Sequence, residues 1–185
     1  VFRKIDENSL LLSVVPNRTI GDFAIYDVIT GDKKVYNSTR EPTFLATNIS
    51  DGDVSGGFIF ISCSNTGLWK INSGLTTFTR ITVAGVDDTK AYQICVKDNG
   101  DLWVLFEGGL GQSTDLGVTW TIYNTSSTPI LSKTGLTDNW SNCYAMIIDP
   151  VHADDRFLFV LNTSVNANDK WIWWSRTLAA TNPTT

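Results

Sequence analysis

Ser113-Thr114-Asp115-Leu116-Gly117-Val118-Thr119-Trp120 reads S-x-D-x-G-x-T-W. Three residue types in that octet suit a chain that reverses direction. An Asp carboxylate accepts hydrogen bonds from turn backbone N–H groups, Gly permits a positive φ, and the Trp that follows can fold its ring back over the turn. The octet is therefore predicted to close a β-hairpin. If the Trp120 ring belongs to a core, Trp120→Ala lowers stability by about 3–5 kcal/mol.

Working outward, Gly67–Ile81 aligns without gaps onto Gly109–Tyr123 at an offset of 42 residues. Gly, Leu and two Thr coincide, and Phe78 falls on Trp120. The first copy has Ile71, Ser73 and Leu75 where Ser, Asp and Gly stand in the second, so its turn is expected to be satisfied differently, through Ser73 and Gly74. A period of 42 is close to the roughly 40 to 50 residues of a four-stranded propeller blade. Upstream of the second copy, AYQICVKDNGDLWVLF (91–106) places an Asp-Asn-Gly turn between two apolar strands, a strong hairpin signal. The stretch AMIIDPVHADDRFLFV (145–160) repeats that grammar around Asp149-Pro150.

The octet resembles the Asp-box, or bacterial neuraminidase repeat, and the strand grammar around it is similar to blades of sialidase-, xyloglucanase- and sortilin-type propellers. The resemblance covers 43–177 well and 1–42 loosely. It implies an all-β, β-propeller-like fold of three to four short four-stranded antiparallel blades, either closed or part of a larger propeller. The expected organisation is irregular N-terminal strands or a partial blade at 1–42, a blade with a degenerate box at 43–82, and a blade with the full box at 90–123. A partial blade follows at 142–178 and a tail or linker at 179–185. Phe2-Arg3-Lys4-Ile5 resembles an outer strand such as Phe78–Ile81 and could close the last blade of a ring. In the family resembled, the box lies on the blade periphery and holds a turn. That makes Ser113, Asp115, Gly117, Thr119 and Trp120 structural residues.

Composition agrees with strands and turns. Asp outnumbers Glu 16 to 3, and there are 23 Thr and 14 Asn, whereas helix formers are scarce. A net charge of −5 and the lack of a basic run exclude a broad nucleic-acid footprint. The longest wholly apolar runs, such as Phe58–Ile61, are far shorter than the roughly 18 residues of a membrane helix. Cys63, Cys95 and Cys143 lie in apolar strand-like runs without metal-ligand spacing and are expected to be buried thiols. Six Asn-X-Ser/Thr sequons begin at Asn17, Asn37, Asn48, Asn124, Asn139 and Asn162.

No catalytic constellation is legible. The resemblance to retaining sialidases implies an arginine cluster, a Tyr–Glu pair and an Asp acid, but only Glu7, Glu41 and Glu107 are present and the Phe-Arg-Ile-Pro box has just Phe2–Ile5 as a poor match. Xyloglucanase-type catalysis needs two carboxyls roughly 5–9.5 Å apart across a cleft. Asp51/Asp53, Asp87/Asp88 and Asp154/Asp155 could offer oxygens to Ca²⁺, a weak signal set against solvated turns, and no other cofactor is indicated. His152 reads as an exposed loop residue. Trp171, Trp173 and Trp174 crowd one strand and form a candidate aromatic platform for sugar rings or a partner chain.

The sequence reading is therefore a non-catalytic binding or structural module on an extracellular or virion surface (a phage tail, fibre or decoration), taking glycan or other protein chains. The alternative is a glycoside hydrolase or a section of one. A third reading is an assembly factor of propeller type that binds protein.

Overall fold

The computed structural model describes residues 2–4, 9–14, 22–36, 49–123, 143–148, 157–162 and 170–175, with side chains across 23–36 and 49–123. Four antiparallel sheets run in sequence order. The first is β1 (Phe2–Lys4), β2 (Ser9–Val14), β3 (Asp22–Asp27) and β4 (Lys33–Tyr36). The second holds β5 (Ile49–Ser55), β6 (Phe58–Cys63), β7 (Gly67–Asn72) and β8 (Phe78–Ile81). The third holds β9 (Asp87–Val96), β10 (Leu102–Glu107), β11 (Gly109–Ser113) and β12 (Thr121–Tyr123). The fourth contains β13 (Cys143–Ile148), β14 (Phe157–Asn162) and β15 (Lys170–Ser175). Within each sheet every strand pairs with its neighbour in sequence. Phe2–Lys4 pairs with β2, Arg3 opposite Leu11, and so belongs to the first sheet rather than closing the last one. Among the described residues no helix is long and apolar enough to cross a membrane.

The repeat seen in the sequence maps onto strands in register. β7 and β11 begin at Gly67 and Gly109, the first residues of the two copies. Their partners β6 and β10 are apolar almost throughout, FIFISC and LWVLFE, and all but the first residue of β6 and the last of β10 are buried. Such strands are covered on both faces, which is why they run apolar instead of alternating.

By internal contacts the chain divides into two units, Val1–Thr82 with Asp88–Ile94, and Val83–Asp87 with Cys95–Thr185. The core of the first unit joins Phe23 of β3 to Ile59, Ile61, Trp69, Ile71 and Phe78 of the second sheet, with Tyr36 and Leu75 packed against it. Tyr36 links the two sheets, stacked on Phe23 at 5.0 Å between centroids and tilted against Phe78 at 6.2 Å. In the second unit Leu102, Trp103, Val104, Leu105, Phe106 and Leu110 are buried. Cys63 is fully buried, while Cys95 is only half-buried, so the expectation of buried thiols holds at one of the two described positions. Cys143 lies on β13, with its side chain outside the described residues.

Candidate functional site

The 113–120 hairpin is built around one carboxylate. Asp115 Oδ1 accepts the N–H groups of Val118 at 3.1 Å and Thr119 at 2.8 Å, and the Ser113 hydroxyl at 2.8 Å. Its Oδ2 accepts the Thr119 hydroxyl at 2.6 Å. Ser113 Oγ in turn accepts Gly117 N–H at 2.8 Å, so the two ends of the turn are laced through both side chains. The reversal needs left-handed backbone at Leu116 (φ 59°) and Gly117 (φ 84°). The second is a conformation that glycine adopts without strain. Hydrogen bonds to the ionised form, led by the Thr119 hydroxyl and then the Thr119 N–H, hold the Asp115 carboxyl down at about 2. A carboxyl so held is an acceptor, not a proton donor, at neutral pH.

Trp120 lies back over this turn, its Nε1 donating to Gly117 O at 3.2 Å and its ring meeting Phe106 edge-on at 5.9 Å. The ring is half-buried, not core. It covers Gly111 of β11, where a Cβ would sit 2.9 Å from Trp120 Cε3 and 3.0 Å from Phe106 Cε2.

The first copy reaches the same end by another residue. Ser73 and Gly74 do not close its turn. Asn72 does, through Oδ1 accepting Thr76 and Thr77 N–H at 2.9 Å each and Nδ2 donating to Thr76 Oγ1 at 2.9 Å. At the repeat offset, Thr76 and Thr77 are the counterparts of Val118 and Thr119. The same two amides are therefore capped, by an amide oxygen from the position aligned with Thr114 instead of a carboxylate from Asp115. The left-handed residue here is Leu75 (φ 56°), which lies against the core.

Other described carboxylates serve the scaffold as well. Asp51 and Asp53, expected in a solvated turn, are strand residues of β5. Asp51 is buried, with Oδ1 accepting Gly52 N–H at 2.9 Å and Oδ2 accepting Ile94 N–H at 3.4 Å. Asp53 Oδ1 accepts Val54 N–H at 3.0 Å. Asp87 and Asp88 likewise open β9 and are not turn residues. Asp88 meets Arg80 Nη2 at 2.9 Å, and the same guanidinium reaches Thr66 O and Asp88 O. That clamp surrounds Gly67 (φ 78°), where a Cβ would run into the Asp88 carbonyl oxygen. Asp27 closes the β3–β4 turn by accepting Ile29 and Thr30 N–H, bonds that lower its pKa, with Thr30 first. Asp101 Oδ2 accepts Gln112 Nε2, and Gln112 Oε1 accepts the Tyr123 hydroxyl. Among the described residues no group of three or more His, Cys, Asp or Glu side chains comes together as a metal ligand set.

Trp171, Trp173 and Trp174 all fall on β15, opposite Leu161, Phe159 and Leu158 of β14. Their side chains lie outside the described residues, as do His152, Asp154, Asp155 and the side chains of all six sequon asparagines. Sequence reasoning missed Asn72, and the signal for it was the Thr-Thr pair at 76–77 in register with Val118 and Thr119.

No protein-family model matches the chain, and neither does any curated protein sequence. Solved structures do. The chain is similar to the extracellular domain of the hybrid two component system BT3049 from B. thetaiotaomicron, with TM-score 0.60, 13% identity and coverage of 91% of this chain and 19% of that one. It is also similar to PorZ, a bacterial surface component of the type-IX secretion system of Porphyromonas gingivalis, with TM-score 0.65, 12% identity and coverage of 94% and 24%. The fold is all-β and propeller-like. A streptogramin B lyase shares it at TM-score 0.54 and 16% identity over 95% of this chain and 61% of that one. The chain thus spans about a fifth to a quarter of the length of the first two.

Proposed function

We propose that this chain is a non-catalytic binding module of the Asp-box class, one section of a longer propeller protein exposed at a cell or virion surface, and that it takes glycan or a partner protein. The observation that carries the reading is the use made of six of the described aspartates. Asp27, Asp51, Asp53, Asp88, Asp101 and Asp115 each commit at least one carboxylate oxygen to a backbone amide or a neighbouring side chain. In Asp27 and Asp115 those bonds lower the pKa, opposite to what a general acid needs. Two further lines support it. The octet around Asp115 has both the sequence and the bonding of a turn-holding box. The extracellular BT3049 domain and the surface component PorZ share the fold.

The ligand contact assigned by this reading is the Trp171/Trp173/Trp174 strand, since a flat indole stacks on the apolar face of a sugar ring. A glycan array followed by calorimetry on the best binder tests it, run beside hydrolysis assays on sialylated and xyloglucan substrates. Binding without turnover, weakened by Trp173→Ala or Trp174→Ala, is the expected result. Hydrolysis that disappears with a single Asp or Glu substitution overturns it in favour of a glycosidase.

A further inference from the structure

The Asp98-Asn99-Gly100 turn is not used by the reading above, yet it contains the sequence's one Asn-Gly dipeptide. Asn99 is exposed at the tip joining β9 to β10. Three bonds shape that tip: Gly100 N–H donates to Lys97 O at 2.8 Å, Lys97 N–H to Asp101 O at 3.0 Å, and Asp101 N–H to Asn99 Oδ1 at 3.0 Å. Asn72 is held quite differently, by three side-chain bonds and with the bulkier Ser73 next in line. Where the following residue is glycine, no Cβ hinders its backbone nitrogen from reaching the asparagine side chain.

We propose that Asn99 is a modification site, a spontaneous deamidation centre that the folded turn restrains. The Gly100 nitrogen, after losing its proton to solvent, attacks Asn99 Cγ. A C–N bond forms, the Cγ–Nδ2 bond breaks, and ammonia leaves with a proton from water. Water then opens the five-membered imide at either carbonyl, giving aspartate or isoaspartate at position 99. The attacking nitrogen is the one whose proton is committed to Lys97 O, and the side chain it must reach is turned onto Asp101 N–H. Reaction therefore requires the turn to open, an event confined to a hairpin tip. Isoaspartate adds a methylene to the main chain inside this turn, so the Lys97–Asp101 and Gly100–Lys97 bonds no longer align. Either product adds a negative charge between Asp98 and Asp101.

The test is to incubate the purified chain at mildly alkaline pH, in native buffer and in urea, and to follow position 99 by peptide mapping with fragmentation that separates aspartate from isoaspartate. The expected result is conversion at Asn99 ahead of every other asparagine in urea, roughly tenfold or more slower in native buffer. Asn99→Gln should abolish the fast phase. Equal rates in the two conditions overturn the restraint, and faster conversion at another asparagine in urea overturns the site. Neither outcome bears on glycan binding.

Discussion

Placing a methyl group on Gly111 probes whether the Trp120 ring really seals the hairpin. The new Cβ would stand 2.9 Å from Trp120 Cε3 and 3.0 Å from Phe106 Cε2, both atoms of rigid rings, and Phe106 is fully buried. Overpacking of this kind costs about 1–3 kcal/mol. Replacing glycine inside a strand returns roughly 0.5–1 kcal/mol by restricting the unfolded chain. Gly111→Ala should therefore destabilise by about 1–2 kcal/mol net. Trp120→Ala alone should lose about 2 kcal/mol, because the ring is half-buried and a fully buried one is worth ~3–5. In the Trp120→Ala background the closest clash is gone, and only the Phe106 edge remains. Gly111→Ala should then be nearly neutral, giving a coupling of about 1 kcal/mol or more between the two sites. Urea unfolding followed by far-UV circular dichroism measures all four proteins without relying on the deleted indole. Strict additivity, or a Gly111→Ala variant more stable than the parent, would refute the placement of the ring over β11.

Further outcomes follow from the turn and the clamp. Asp115→Asn should keep the hairpin, since Asn72 shows an amide capping the equivalent amides and donating to a threonine hydroxyl, whereas Asp115→Ala should not. Because the folded carboxyl sits at about 2 against an ordinary 3.8, its contribution is present above the higher value and lost as pH falls through the lower. The gap in urea midpoint between wild type and Asp115→Asn should therefore narrow across that window, and a gap that stays constant counts against the bonding described. Gly67→Ala should lower stability by about 2 kcal/mol or more, because its φ is positive and its Cβ meets backbone that cannot swing aside. A thermal melt unchanged from wild type would contradict that close approach.

The second hairpin was legible because Ser113, Asp115, Gly117, Thr119 and Trp120 each serve the turn by their own chemistry: hydroxyl, acceptor, left-handed glycine, hydroxyl, ring. The first was legible only as a repeat. Its cap lies one position nearer the N-terminus and is an amide instead of a carboxylate, so the residue aligned with Asp115 is Ser73, which does not cap the turn. Composition and strand grammar announced the β fold. The N-terminal strands carry no box and were read only loosely, although they form the four-stranded sheet β1–β4. Solvation was misjudged at Asp51 and Asp88 for a physical reason. An aspartate in a strand looks like a turn residue until the guanidinium that pairs with it or the backbone amide that donates to it, here Arg80 or Ile94, is brought near by tertiary structure.

The uninterrupted meanders have a kinetic consequence. Since each described ladder joins strands consecutive in sequence, little chain entropy is lost before the first strand pair forms. Folding rate in two-state proteins falls as contacts become more distant in sequence, and all-β proteins are ordinarily slow on that account. The β5–β6, β6–β7 and β7–β8 pairings can form while the segment carrying β10–β12 is still being synthesised, whereas the Asp51–Ile94 and Arg80–Asp88 contacts wait for β9.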